Sequence, residues 1–246
     1  MNFLSLFKRK IIYNLKKKIN IDKDYNSKNL DQLFFHYGSD KSNKFKNTNK
    51  PGHGYSQFYV KYLKKLRNKK INILEIGSYS GASAVAFKKY FFKAKVYCFD
   101  INISNFQYYS KDIKVFGLDV SNENATKKII KSIIKKKNLK YFDLIIDDGS
   151  HNLSDILLAF KSLFKHLKKN GFYIIEDYML PNRYKYNRDI DDILIDKMLN
   201  LLSKRKIFTS QTLSKLNQIE FHKKIKKIYV EKGRLKESNI CFIKKN

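Results

Sequence analysis

Tyr141-Phe142-Asp143-Leu144-Ile145-Ile146-Asp147-Asp148-Gly149-Ser150-His151 is an apolar run closed by two adjacent carboxylates, with a histidine at the turn that follows. A second run, Gly171-Phe172-Tyr173-Ile174-Ile175-Glu176-Asp177, ends the same way. Short continuous apolar runs bounded by turn residues read as buried strands, and the apolar spacing of residues 153–168 places a helix between them. Adjacent strands lie about 5 Å apart, so acids at their ends crowd one crevice and repel unless a proton or cation joins them. A hard divalent metal is the natural occupant.

Upstream the same alternation continues. Residues 55–67 have a helical pattern, and a strand at 71–76 runs through Gly77-Ser78-Tyr79-Ser80-Gly81 into a helix near 82–92. Strands at 95–99 and 113–118 end at Asp100 and Asp119, and a helix at 122–137 leads to the first carboxylate pair. The helix at 153–168 is expected to stop at Lys168-Lys169-Asn170-Gly171, basic residues and then a terminal glycine. Strands separated by helices imply an α/β fold with a doubly wound, mostly parallel sheet. Beyond Pro181 a helix near 189–204 is followed by 219–222 and 225–230, read as a C-terminal antiparallel strand pair. Residues 22–50 are polar and read as irregular, with loop chemistry at 37–41 and turn chemistry from Asn47 to Gly54.

The chain has 246 residues, enough for one sizeable core, and the division expected is an N-terminal extension at 1–32 and a single domain at 33–246. Fifty-two Lys and Arg against 22 Asp and Glu give a net charge of +30. Only six of the 52 are Arg, whereas base readout and bidentate phosphate contacts favour Arg. Nucleic-acid binding is therefore disfavoured, and a compositional bias that also crowds the chain with Asn, Ile, Phe and Tyr is the preferred source of the lysines. Two isolated cysteines, Cys98 and Cys241, suggest neither disulfides nor zinc and fit a reducing cytoplasm. No run reaches membrane-span length and no secretory leader is evident. Residues 3–19 combine helical apolar spacing with Lys8, Arg9, Lys10, Lys16, Lys17 and Lys18. Such a helix can lie on an anionic membrane, at the inner face, or pack on its own domain or a second subunit in a homo-oligomer; packing is preferred.

In a doubly wound sheet, ligands bind beyond the carboxyl ends of the strands. Gly77 and Gly81 flank the first strand-to-helix turn and allow close backbone approach, while Asp100 is placed to accept ribose hydroxyls. The turn is Gly-x-x-x-Gly, so the dinucleotide fingerprint is absent. Glu75 would repel a pyrophosphate but suits a cationic ligand, such as the ammonium and sulfonium of S-adenosylmethionine. Asp119 is a candidate for the adenine side.

These residues resemble class I S-adenosylmethionine-dependent methyltransferases, with their Rossmann-like seven-stranded sheet. More narrowly, they resemble the metal-dependent sugar O-methyltransferases typified by the macrolide (mycinamicin and demethylmacrocin) enzymes. The resemblance covers roughly residues 33–232. It rests on Tyr37-Gly38-Ser39-Asp40-Lys41, His53-Gly54-Tyr55, Leu74-Glu75-Ile76-Gly77-Ser78-Tyr79-Ser80-Gly81-Ala82-Ser83, Ile146-Asp147-Asp148-Gly149-Ser150-His151 and Ile175-Glu176-Asp177. It implies Mg²⁺ held by Asp148, Glu176 and Asp177, His151 as general base, and S-adenosylmethionine near Glu75, Gly77, Ser78, Gly81, Ser83, Asp100, Asp119, Asp147, Tyr55 and Lys41. The acceptor implied is a sugar hydroxyl of a glycan, nucleotide sugar or glycosylated metabolite, as in polysaccharide biosynthesis. The long N-terminal auxiliary domain of the macrolide enzymes has no counterpart in this reading. Two alternatives remain open: a catechol-type small-molecule O-methyltransferase, and a non-catalytic basic nucleic-acid- or membrane-binding protein on the same scaffold.

Overall fold

The computed structural model describes residues 3–23, 28–46, 48, 50–137 and 139–246. Seven strands form one mostly parallel sheet. In chain order they are β2 (Asn72–Ile76), β3 (Lys95–Asp100), β5 (Ile113–Gly117), β6 (Phe142–Asp147), β7 (Leu167–Glu176), β8 (Ile225–Lys232) and β9 (Asn239–Lys245). Their order across the sheet is β5-β3-β2-β6-β7-β9-β8. A separate two-stranded element pairs β1 (Ile19–Asn20) with β4 (Tyr108–Tyr109) in parallel. By its internal contacts the chain divides into two compact units, residues 1–119 with 233–238, and residues 120–232 with 239–246.

In the first unit β2 and β5 flank β3 in parallel register, Ile73 opposite Val96 and Cys98 opposite Val115. β2 and β3 are buried on both faces almost throughout, which is why their residues are mostly apolar without alternation, whereas β5 is buried only at Ile113. Helices α2 (Leu30–Tyr37), α3 (Ser56–Leu63) and α4 (Ala82–Tyr90) meet through aromatic edges. The Phe34 and Tyr59 rings lie 5.2 and 5.0 Å from that of Phe87. Helix α2 corrects the expectation that residues 22–50 are irregular. Asn29 and Gln32 form a reciprocal capping box, Leu30, Leu33 and Phe34 are buried, and Gly38 ends the helix with a φ of 81°. Eight residues make a short helix, so its caps and tertiary burial outweigh the polar composition around it. Positions 24–27, 47 and 49 of that stretch, Asn47 of the expected turn among them, lie outside the described residues.

The N-terminal helix α1 spans Phe3–Leu15, shorter than the 3–19 expected, because Ile19 turns to strand pairing with Tyr108. One side of it packs on its own unit, as preferred. The Arg9 guanidinium donates to the Ile101 carbonyl at 2.8 Å, and the Tyr13 ring meets Phe106 edge-on at 6.4 Å.

In the second unit β6 pairs in parallel with β7, and β9 lies antiparallel between β7 and β8. Helix α5 (Glu123–Lys137) is tied to α6 (Leu153–Leu163) by an ion pair of Glu123 with Lys161 at 3.0 Å. Phe160 of α6 packs on Tyr173 of β7 and on Phe221 at 5.1 and 4.6 Å.

Three sequence expectations change here. Lys168–Gly171 do not end a helix; they bulge out of β7, between the Phe142–Leu167 and Leu144–Phe172 pairings, and Asn170 takes a φ of 61°. The helix near 189–204 begins only at Ile195, as α8 (Ile195–Ser203), after the short helix α7 (Leu180–Arg183). Asp192 holds the preceding loop, accepting from the backbone N–H groups of Ile193 and Thr212. Residues 219–222 belong to helix α9 (Lys215–Lys224), so the antiparallel partner of β8 is β9. Ser214 and Asn217 form a capping box for α9, and the buried Gln218 amide donates to the carbonyls of Phe208 and Leu213. That polar anchor has no signature in a hydropathy pattern.

Candidate active site

In the first unit the glycine turn leaves β2 with Gly77 at φ 79° and Gly81 at φ 86°, the latter opening α4. A Cβ on Gly81 would stand 2.6 Å from two ring carbons of Phe106, so both the conformation and the space demand glycine. Tyr79 between them also sits at positive φ, 42°, and is held there by Asp100, whose carboxylate accepts from the Tyr79 N–H at 2.7 Å and the Asn102 N–H at 2.6 Å. Glu75 is fully buried at the penultimate position of β2, and Ser78 and Ser83 are buried in the turn and the first turn of α4. Burial, then the Glu75 charge, push the Cys98 thiol well above the usual range. Asp119 lies two residues past β5 and is half-buried.

The two N-terminal motifs are brought side by side. His53, Gly54 and Ser56 donate backbone N–H bonds to the carbonyls of Asp40, Ser42 and Lys41 at 2.8, 3.0 and 3.2 Å. Lys41 and Tyr55 are buried. Residues 233–238 close over this pair: Arg234 N–H donates to the His53 carbonyl at 2.9 Å, and the Ser238 hydroxyl lies 2.8 Å from His53 Nδ1.

In the second unit β6 ends at Asp147, and Asp148 is the first residue beyond it. The two acids separate as strand alternation demands. Asp147 is buried, and the Tyr173 hydroxyl donates to it at 3.4 Å. Burial pushes its carboxyl up to about 7; the Gly149 N–H opposes that rise and the Asp148 charge adds to it. Asp148 instead joins His151 and Asp177, with one donor atom from each lying within 4.8 Å of the others. His151 Nε2 is 3.7 Å from Asp148 Oδ1. Glu176, buried as the last residue of β7, is outside that group of three.

His151 and Asp177 both occupy the left-handed region, at φ 58° and 48°. Each costs about 1 to 2 kcal/mol, and strain of this kind collects where a side chain must be aimed. Two carboxylate oxygens at this spacing, with an imidazole beside them, fit a hard divalent cation, which completes its shell with further oxygens or water.

The segment after α7 was not singled out from the sequence. Asn187 donates its amide to the His151 carbonyl at 3.4 Å, and Asp189 accepts from Ser154 N–H at 3.3 Å. Beside them Tyr184 and Tyr186 face solvent, their rings 5.5 Å apart and inclined by 33°. The signal that could have found them is Arg183-Tyr184-Lys185-Tyr186-Asn187-Arg188, aromatics interleaved with basic residues just past the second carboxylate pair.

A methyltransferase-domain family (Methyltransf_24) matches residues 74–178. The L-olivosyl-oleandolide 3-O-methyltransferase of Streptomyces antibioticus is 32% identical over 157 residues, 60% of this chain and 36% of that protein. The mycinamicin VI 2''-O-methyltransferase of Micromonospora griseorubida is 26% identical over 132 residues, 51% of this chain and 31% of that protein. The chain thus spans about a third of the length of these relatives. Among solved structures, MycE methyltransferase from the mycinamycin pathway, in complex with Mg, SAH and mycinamycin VI, superposes with a TM-score of 0.68 at 21% identity, covering 90% of this chain and 56% of that one. Residues 74–178, which include the glycine turn and both carboxylate pairs, thus match a methyltransferase domain, and the chain is similar to the macrolide sugar O-methyltransferases.

Proposed function

We propose that this chain transfers the methyl group of S-adenosylmethionine to a sugar hydroxyl of a glycosylated acceptor, with Mg²⁺ bound at the carboxylate cluster. The observation that carries this reading is the convergence of Asp148, His151 and Asp177 within 4.8 Å, in a domain whose relatives are named as O-methyltransferases acting on sugar-bearing compounds.

Asp148 and Asp177 would hold the metal, with Glu176, next to Asp177 in the chain, as the third carboxylate. A hard cation prefers oxygen over imidazole, which leaves His151 to take the acceptor's proton. A divalent ion in such a site supplies stabilisation of the charge that develops on a hydroxyl oxygen as its proton leaves. The left-handed backbone at His151, with Asn187 on its carbonyl, fixes the direction of the imidazole. Asp147, whose carboxyl is pushed up to about 7 by its burial, supports the strand end.

For the methyl donor, the positive end of the α4 dipole suits the methionyl carboxylate and Glu75 suits its ammonium. Ser78 and Ser83 line that turn. Asp100 keeps lone pairs for ribose hydroxyls beyond the two N–H groups it accepts. Asp119 is assigned to the adenine, and Lys41 and Tyr55 support the donor side from the paired N-terminal motifs. Tyr184 and Tyr186 offer a sugar ring an aromatic face.

The test is calorimetry with S-adenosylhomocysteine, with and without Mg²⁺, followed by acceptor profiling across glycosylated macrolides, nucleotide sugars and catechols. Cofactor binding with Mg²⁺-dependent methylation of a sugar-bearing acceptor is the expected result. Exclusive methylation of catechols, or turnover unaffected by chelation, would overturn it.

A further inference from the structure

Helix α1 carries two apolar sides, and only one of them is used. A helix advances by about 100° per residue, which places Leu6, Arg9 and Tyr13 on one face and Phe7, Ile11 and Leu15 on the opposite one. The first face is the packed one, through Arg9 on Ile101 and Tyr13 on Phe106. On the second face Phe7 is 55% exposed, Ile11 44% and Leu15 81%. Ile12 and Ile19 extend the patch, at 44% and 56%. Three large apolar residues at i, i+4 and i+8 on the solvent side of a helix already docked by its other side are a stripe without a role in the fold.

The charges around the stripe select its occupant. Lys8, Lys10 and Lys17 are exposed around it, and the first acidic residue of the chain is Asp22. A second copy would set six basic residues of the segment 3–19 against six more, a like-charge arrangement that disfavours association. A surface of anionic lipid headgroups neutralises the lysines while its acyl boundary receives the stripe. No helix among the described residues is long and apolar enough to cross a membrane, so the contact lies in the plane of the interface. We infer that α1 docks this protein on an anionic bilayer, with Phe7, Ile11 and Leu15 inserted and the flanking lysines on the headgroups.

Co-sedimentation of the full chain with vesicles of phosphatidylcholine, with and without phosphatidylglycerol, tests this. The protein should bind the phosphatidylglycerol vesicles and not the pure phosphatidylcholine ones. Lys8→Gln with Lys10→Gln should weaken partitioning about 25-fold, from about fivefold per basic side chain. Phe7→Ser, Ile11→Ser and Leu15→Ser together should weaken it by about a hundredfold or more, in a protein that still folds, since each of those side chains keeps 44% or more of its surface exposed. Three results would overturn the inference: no binding to phosphatidylglycerol vesicles, full binding by the triple variant, or a lipid-free dimer that the triple variant dissociates and that does not bind vesicles.

Discussion

Replacing Asp177 by Asn separates the metal reading from a purely structural one, because the two predict opposite signs in the absence of metal. Asn tolerates the left-handed φ of 48° at this position and keeps an acceptor oxygen, so the backbone and shape persist while the charge goes. In the metal-free protein Asp177 and Asp148 repel. Unit charges at 4.8 Å, the upper limit of their separation, in an effective dielectric of about 20 cost about 3.5 kcal/mol. The Asp148 side chain is 18% exposed, and solvent screening brings this to about 2 kcal/mol. At about 2 to 4 °C per kcal/mol for a chain of this size, Asp177→Asn should raise the melting temperature in EDTA by about 4 to 8 °C. Saturating Mg²⁺ should do the reverse. A ligand at a hundred times its dissociation constant stabilises by about 2.7 kcal/mol, so the wild type should gain about 5 to 11 °C and the variant nothing. Differential scanning fluorimetry of both proteins in EDTA and in Mg²⁺ provides the assay. A variant that melts lower in EDTA and keeps the full Mg²⁺ increment would refute the assignment of the cluster.

Other expectations follow from single residues. Burial, helped by the charges of Lys165 and Lys245, lowers the His166 pKa to about 4. An unfolded histidine titrates near 6.5, so this contribution is complete above that pH and is lost as pH falls toward 4. Screening by the exposed part of the ring leaves it at about 1 to 2 kcal/mol. His166→Gln should flatten the stability profile in that window, as urea titrations at pH values across it would show. Gly81→Ala forces a non-glycine residue to φ 86° and against Phe106; left-handed strain and overpacking together cost about 2 to 5 kcal/mol, measurable by urea denaturation. Tyr186→Ala should raise KM for a sugar acceptor with S-adenosylhomocysteine affinity unchanged, and an unaltered KM would remove the ring from the acceptor face.

The alternation of strands and helices from residue 71 to 147 is legible because β2, β3 and β6 are buried on both faces almost throughout and read as apolar runs. The acids at strand ends are legible for a related reason: a buried strand tolerates a charge only where it emerges. Legibility fails where polar groups, not apolar spacing, set the structure. The Lys168–Gly171 bulge reads as a helix stop, since a lysine pair before Asn-Gly is also what a helix end uses. Helix α9 contains Ile219 and Phe221, which favour strand, and only the Ser214–Asn217 cap and the buried Gln218 amide decide for helix. In the candidate site, Asp148, His151 and Asp177 follow from pattern and resemblance, whereas the strained backbone at His151 and Asp177 and the support of His151 by Asn187 depend on contacts made only after folding. The exposure of one face of α1 is likewise invisible in periodicity, which shows that a helix has apolar faces and not which is covered.

The closure of residues 233–238 over His53 has a consequence for biogenesis. Ser238 is 185 positions beyond His53, and translation proceeds at roughly 5 to 20 residues per second, so His53 waits about 10 to 40 s on the ribosome before its hydroxyl partner is made. The first compact unit therefore cannot complete itself as an autonomous early intermediate. A nascent chain arrested before residue 233 should leave the segment around His53 open to proteolysis, and the emergence of residues 233–238 is the event that seals it.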